Sequence, residues 1–272
     1  SGYTLHPAFS TDIENGGWDK DIPGFWVAKY PAGWQNGQGT SIGSVDMSNI
    51  AYQTSAANGT SYAGTITNGT TKMSYPEFKA STYAYNYISV GDAYTLSQDI
   101  KNASRYGLKN VDSHLQKNSE WGAVAYLAHS KYGVNGVDSV AQNTTNKGNT
   151  PTGVYAVTSP ESVTNTSTTQ NITGVYDVSG CVWEYTASFY QGGTTSWTTG
   201  MPTGSSSKYV TLYTANNKKG DATNETSGWN GDYAYFVTSS YPVFMRGCDC
   251  IANSGAGLFA FNNYGGSASS SN

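Results

Sequence analysis

The stretch Gly174-Val175-Tyr176-Asp177-Val178-Ser179-Gly180-Cys181-Val182-Trp183-Glu184-Tyr185 decides how the chain is read. Its last four residues alternate as a short strand does. Trp183, Glu184 and Tyr185 read as core, because buried aromatics beside a hydrogen-bonding carboxylate anchor a fold rich in loops. Two further segments alternate in the same way, Gly24-Phe25-Trp26-Val27-Ala28-Lys29-Tyr30 and Tyr233-Ala234-Tyr235-Phe236-Val237, and both are expected strands.

Upstream of that stretch the period changes from two to that of a helix. Between Ser89 and Tyr106, Ala93, Leu96, Ile100 and Ala103 recur at helical spacing, with Asp92 the expected N-cap and Gly107 the stop. A second helix is expected from Ser119, its N-cap, to Tyr132, with Glu120 in the first turn and Gly133 at the end. Trp121, Val124, Ala125 and Ala128 form its apolar stripe and should face the core. Two helices, few short strands and much irregular chain give an α+β class. The polar stretches 54–71 and 137–173 are expected to be long loops inserted in one domain spanning residues 1–272.

The chain has 272 residues, enough to bury a sizeable core. Only 12% are Asp, Glu, Lys or Arg, about half the usual share. The net charge of -4 argues against nucleic acid as a partner, since phosphate binding needs a basic surface. No apolar run approaches the roughly 18 residues of a membrane span, and no secretory leader opens the sequence. Polarity comes instead from hydroxyls and amides, with 32 glycines and 22 tyrosines. Such a surface suits an extracellular, cell-surface or virion location.

Cys181, Cys248 and Cys250 are too few for a disulfide framework. Cys248 and Cys250 stand too close in sequence to bridge each other, while one bridge from Cys181 to either remains open. His6, His114 and His129 are remote in sequence from the cysteines, so no zinc pattern forms. Asp221 and Asp232 sit in Gly-rich contexts that read as turn caps. No carboxylate pair suggests glycoside cleavage, and no Gly-rich loop suggests a nucleotide.

Three segments together resemble one family. His114-Leu115-Gln116-Lys117-Asn118-Ser119-Glu120-Trp121-Gly122-Ala123-Val124-Ala125 is similar to the "R-L-P-T-E-A-E-W-E-Y-A" helix of the formylglycine-generating-enzyme (sulfatase-modifying-factor) family. The stretch from Gly174 to Tyr185 resembles that family's "G-L-Y-D-M-x-G-N-V-W-E-W". Arg246-Gly247, followed by a tail rich in Gly, Ser and Asn, stands where the family has "R-G-G-S-W". The resemblance spans roughly residues 18–272 and implies a C-type-lectin-type fold with a small twisted antiparallel sheet and two helices. Within the family the tail looks most like the non-enzymatic branch of phage and bacterial surface proteins, including the variable proteins of diversity-generating retroelements.

That branch implies a binding face in the tail. Phe259 and Phe261 would belong to the scaffold, and Asp249, Cys250, Ile251, Ala252, Gly255, Asn262, Asn263 and Tyr264 would be the exchangeable contact positions. The implied function is a displayed ligand- or receptor-binding protein of adhesin or phage-tail type, with a cell-surface protein or glycan as partner. A structural or decoration subunit of a fibre, pilus or capsid, contacting copies of itself or its neighbours, is the alternative. The enzymes' two reactive cysteines would align with Ala252 and Gly257, so the resemblance does not extend to catalysis. Cys181 replaces the Asn of "G-N-V-W-E-W", which leaves Asp177 and Glu184 as the remaining acidic residues for a calcium ion, and no cofactor is expected. The family's closing Gly-Phe-Arg strand does not occur by Asn272, so it would lie further on or come from elsewhere.

Overall fold

The computed structural model describes residues 4–34, 65–68, 71–80, 83–85, 88–103, 106–134, 140, 166–192, 208–214, 217–224, 231–250 and 252–267. Ile251, residues 54–64 and 69–70 of the first expected loop, and 137–139 and 141–165 of the second lie outside them.

Two helices and a small mixed sheet give an α+β fold. Two short antiparallel pairs stand apart from that sheet: β1 (Gly33–Trp34) with β4 (Tyr83–Ala84), and β2 (Thr65–Asn68) with β3 (Thr71–Ser74). The main sheet contains β5 (Glu184–Tyr190), β6 (Thr211–Tyr213), β7 (Val243–Arg246) and β8 (Phe261–Tyr264), in the order β6-β5-β7-β8. β5 runs parallel to β6 and antiparallel to β7, and β7 antiparallel to β8.

β5 is covered on both faces. Tyr185, Ala187 and Phe189 join an apolar core with Val243 and Met245 of β7 and with Val90 and Tyr94 of helix α1 (Val90–Asp99). Thr186 and Ser188 face the other way, onto the first turn of helix α2 (Asn118–His129). There Asn118 accepts from Thr186 Oγ1 at 3.1 Å, and its backbone N–H donates to Ser188 Oγ at 2.9 Å. Its amide donates in turn to the Tyr213 hydroxyl at 3.2 Å.

Lys117, Asn118, Ser119 and Glu120 are all at most 2% exposed, an unusual depth for four consecutive polar residues. Each finds partners. Lys117 Nζ donates to the carbonyls of Gly17 at 2.8 Å and Lys208 at 2.9 Å, and lies 3.5 Å from the centre of the Trp18 ring. Ser119 Oγ donates to Gly16 O at 2.8 Å. Glu120 accepts the Lys117 backbone N–H at 2.8 Å, satisfying an orphan donor at the helix start, and pairs with His114 Nε2 at 3.0 Å.

The structure moves several expected boundaries. Ser89, not Asp92, caps α1, its hydroxyl accepting the Asp92 N–H at 3.2 Å. The helix passes into a 3-10 turn at Ile100–Asn102, well before Tyr106. α2 starts at Asn118 with Lys117 as its cap and ends at His129; of its expected stripe Trp121, Ala125 and Ala128 are buried and Val124 is half-buried against them. Residues 24–30 join no strand. Their alternation survives in burial alone: Phe25 and Val27 are half-buried, Trp26 and Ala28 exposed, and Phe25 stacks on Phe9 at 5.5 Å. Residues 233–237 form a single bridge, Ala234 to Phe261, instead of a strand. Within the first expected loop, Thr65–Asn68 is a strand. Asp221 does cap its turn, accepting the backbone N–H groups of Lys218 and Thr223, whereas Asp232 sits in no local turn and its carboxylate reaches across to the distant Phe259 N–H.

Two outcomes test this packing. Ala is ordinarily the better helix former, yet a Cβ on Gly122 would meet the Gly220 carbonyl oxygen at 1.9 Å. Gly122→Ala should therefore destabilise the fold by about 2 kcal/mol or more in urea unfolding. Burial lowers the Lys117 amine to about 8, with the Glu120 charge opposing that shift. Between that value and the ordinary 10.5 the unfolded chain holds a proton that the folded chain has released, so stability rises with pH. The stability advantage of the native protein over Lys117→Met should grow across this window by up to about 3 kcal/mol. An advantage that is flat or shrinking with pH would contradict it.

Candidate functional site

The segments that carry the family resemblance meet in space. Gly180 N–H donates to Gly247 O at 2.9 Å, and Cys250 N–H donates to Cys181 O at 3.1 Å. Two turns thus interlock, one from residues 177–181 and one from 246–250. Asp177, Cys181 and Cys248 take φ of +61°, +68° and +67°, and Gly180 and Gly247 take +83° and +78°. Left-handed backbone costs a non-glycine residue about 1 kcal/mol or more, so packing must hold these turns in place. At Gly247 it also demands a small residue, because an added Cβ would lie 3.2 Å from Val178 O and 3.3 Å from Trp121. Arg246 is fully buried; its Nη2 donates to Ala222 O at 2.9 Å, and its guanidinium lies over the rings of Trp121 and Phe261.

The expected contact positions do not form one exposed face. Cys250 is buried in a cluster with Ala84, Cys181 and Val182, so its side chain belongs to the core. This corrects the expectation that it is a contact position; its backbone bond to Cys181 carries it inward. Ala252 is half-buried against the main core, and Asp249 and Gly255 are half-buried. Asn262, Asn263 and Tyr264 lie in β8, all half-buried. Asn263 Nδ2 donates to Phe236 O at 2.6 Å, and Tyr264 packs on the main core. Ile251 lies outside the described residues.

The exposed aromatic surface beside them comes from residues 233–235. Tyr233 is 39% and Tyr235 56% exposed, with ring centroids 4.6 Å apart. The Tyr233 N–H donates to Gly255 O at 2.8 Å, and Phe261 and Tyr235 exchange further backbone bonds with this segment and β8. Trp183 packs edge-on against Tyr233 at 5.8 Å. The rigid sheet therefore presents two tyrosines next to Gly255. The signal for this was the Tyr-Ala-Tyr alternation, which places both rings on one side; it was read as strand rather than surface.

A separate concavity of about 500 Å³ lies between residues 25–32, α1 and the start of β5. Glu184 and Glu120 both line it. Burial, with Asp177 nearby, pushes the Glu184 carboxyl up to about 8. Burial works to lower His114, but its hydrogen bond to Glu120, the Glu120 charge and the Asp112 carbonyl together outweigh this and leave it raised. Among the described residues no three His, Cys, Asp or Glu side chains converge as a metal site, Asp177 and Glu184 included. No helix among them is long and apolar enough to cross a membrane.

Compared with models of known protein families and with curated protein sequences, the chain matches none.

The three cysteines are free thiols, and all are buried. Burial pushes Cys248 up to about 12, with the charges of Asp249 and Asp232 adding to the rise, and lifts Cys181 well above the ordinary thiol range. A thiol so reluctant to ionise is a poor nucleophile and a poor redox centre. A chromogenic disulfide reagent at neutral pH should react with none of the three in the folded protein and with all three in denaturant. Rapid reaction of a native thiol would contradict that picture.

Proposed function

We propose that the chain is a displayed binding protein with a C-type-lectin-type fold, of the non-enzymatic kind found on phage and bacterial surfaces. It works outside the cell, and its partner is a protein or glycan on a cell surface. The fold assignment is supported by the α+β frame of two helices and a small sheet. It is also supported by the meeting of the Gly174–Tyr185 turn with the Arg246-Gly247 turn, the two segments most like that family.

The observation that carries the binding role is the exposed Tyr233–Tyr235 pair, its rings in tilted contact, held by backbone bonds beside Gly255 and β8. Tyrosine offers a broad contact surface at low entropic cost, with a hydroxyl for hydrogen bonding, and small neighbours let a partner approach closely. Asp249 and Asn262, both half-buried, extend this surface, whereas Cys250 supports it from inside. A thiol oxidase of the related enzymatic type would need an accessible, ionisable cysteine, and the buried Cys248 is a poor one.

Tyr233→Ala combined with Tyr235→Ala should weaken binding of the labelled chain to intact bacterial cells by at least about tenfold, in line with the loss of two aromatic anchors. Because these rings sit at the surface, stability should fall by no more than about 1 kcal/mol. Unchanged cell binding by a folded double variant, or no cell binding by the native chain across a broad panel, overturns the proposal.

A further inference from the structure

The concavity of about 500 Å³ has walls that are mainly aromatic and aliphatic, among them Phe25, Tyr85, Ile88, Leu96 and Trp183. Such a lining, interrupted by a few convergent polar groups, is how small-molecule sites are built. Three carboxylates border it: Asp112, Glu120 and Glu184. Two of them are answered within the protein. Asp112 takes the Lys208 ammonium at 2.8 Å and the Tyr209 hydroxyl at 2.6 Å. Glu120 takes His114 and the Lys117 backbone N–H.

Glu184 is the exception. Its carboxyl makes no hydrogen bond or ion pair with any described residue, although it is half-buried and borders the cavity. Buried carboxyl groups are normally satisfied, and an unanswered one costs several kcal/mol of solvation in order of magnitude. The charge nearest to it aggravates the cost, since Asp177 lies close by on the 177–181 turn. Cys181 on that turn is also within electrostatic reach. Across the cavity, Asp112 and the His114–Glu120 pair are already neutralised locally. The unbalanced group in this cavity is therefore acidic, and the walls around it are π-faces that attract cations.

We propose that this cavity binds a small organic ammonium compound, its aromatic or branched aliphatic body against the apolar walls and its N–H groups donating to the Glu184 carboxylate. A neutral body of the same shape would gain the apolar burial and forgo the charged hydrogen bond. An anion would gain no ion pair at Glu184 and would meet the nearby Asp177 charge as repulsion. Glu184 is largely protonated at neutral pH, as its rise to about 8 implies. Binding then converts a carboxylic acid and a free ammonium into an ion pair and one proton released to solvent. This site is distinct from the tyrosine pair and does not depend on the reading of that surface.

Calorimetric titration of the full chain at about pH 7 with 2-phenylethylamine, 2-phenylethanol and phenylacetate tests the assignment, using two buffers of different ionisation enthalpy to count protons. The amine should bind about tenfold or more tightly than the alcohol. Phenylacetate should be weakest, and close to one proton should leave per amine bound. Glu184→Gln should abolish both the amine preference and the proton release while keeping affinity for the alcohol. Alcohol binding as tight as amine binding, amine binding without proton release, an unchanged preference in Glu184→Gln, or no binding of any of the three each overturns the proposal. The comparison among probes on the native chain decides the matter even where the variant fails to fold.

Discussion

The first turn of α2 imposes the condition that the rest of the molecule meets. Four consecutive polar side chains, Lys117 to Glu120, are buried there. Leaving any one unanswered would cost about 1–3 kcal/mol, and more for the charged pair. The answers come from remote parts of the chain: Gly16 and Gly17, His114, Thr186 and Ser188, Lys208, and Tyr213. Tyr213 passes the chain of bonds on to Asp221, whose carboxylate accepts its hydroxyl at 2.9 Å. A helix that must satisfy all of these at once has one orientation relative to the sheet. Buried polar networks of this kind reward completeness and punish any partial arrangement. A charge-poor chain with little regular structure can thereby hold a defined fold, because amides, hydroxyls and carbonyls do the specifying.

That network also explains what the sequence revealed and what it hid. The helices were legible because Trp121, Ala125 and Ala128 keep a helical period that tertiary contacts do not alter. Their starts were not, since Ser119 resembles a cap but spends its hydroxyl on Gly16, and Lys117 resembles a surface residue but is buried. Most of β5 was missed for a related reason. The alternating segment ends at Tyr185, and only the hydrogen bonds to Asn118 make the polar Thr186 and Ser188 suitable for the inside of a sheet. β6 and β8 are three and four residues long, too short for a period to declare itself. In residues 25–28 the alternation told inside from outside and failed only on pairing, whereas in 233–237 it failed on both, Tyr233, Ala234 and Tyr235 all being exposed. Alternation reports burial on two sides of an extended chain; hydrogen-bond partners depend on what lies alongside.

The tail shows how small residues can mislead. A run of Gly, Ser, Ala and Asn reads as exposed, yet here it lets backbones approach. Gly247 lies against Val178 and Trp121, and Gly257 leaves room for the Asp232 carboxylate that accepts the Phe259 N–H. With the backbones that close, Cys248 and Cys250 are drawn into the interior as small hydrophobes. Exposure passes to the neighbouring 233–235 segment, which covers the first part of β8 and turns its tyrosines outward. Of the positions that the sequence put at the surface, Cys250 is therefore core, and the exposed aromatics beside them belong to another segment.

Against this background Glu184 stands out on physical grounds. With acids and bases together making up only 12% of the chain, a buried carboxyl is not a by-product of abundant charge. Asp177, on the turn beside it, raises the cost of ionising it, whereas Asp221, fully buried in a turn, has four donors: the Tyr213 and Thr223 hydroxyls and two backbone N–H groups. The same chain thus satisfies one acid completely and leaves another bare at the edge of an aromatic cavity. A glutamine or leucine at position 184 would remove the cost without disturbing the backbone pairing to Arg246. Local rules broken without internal compensation fall preferentially where a site must remain open to a ligand, and the compensation for Glu184 is then a cation brought from outside.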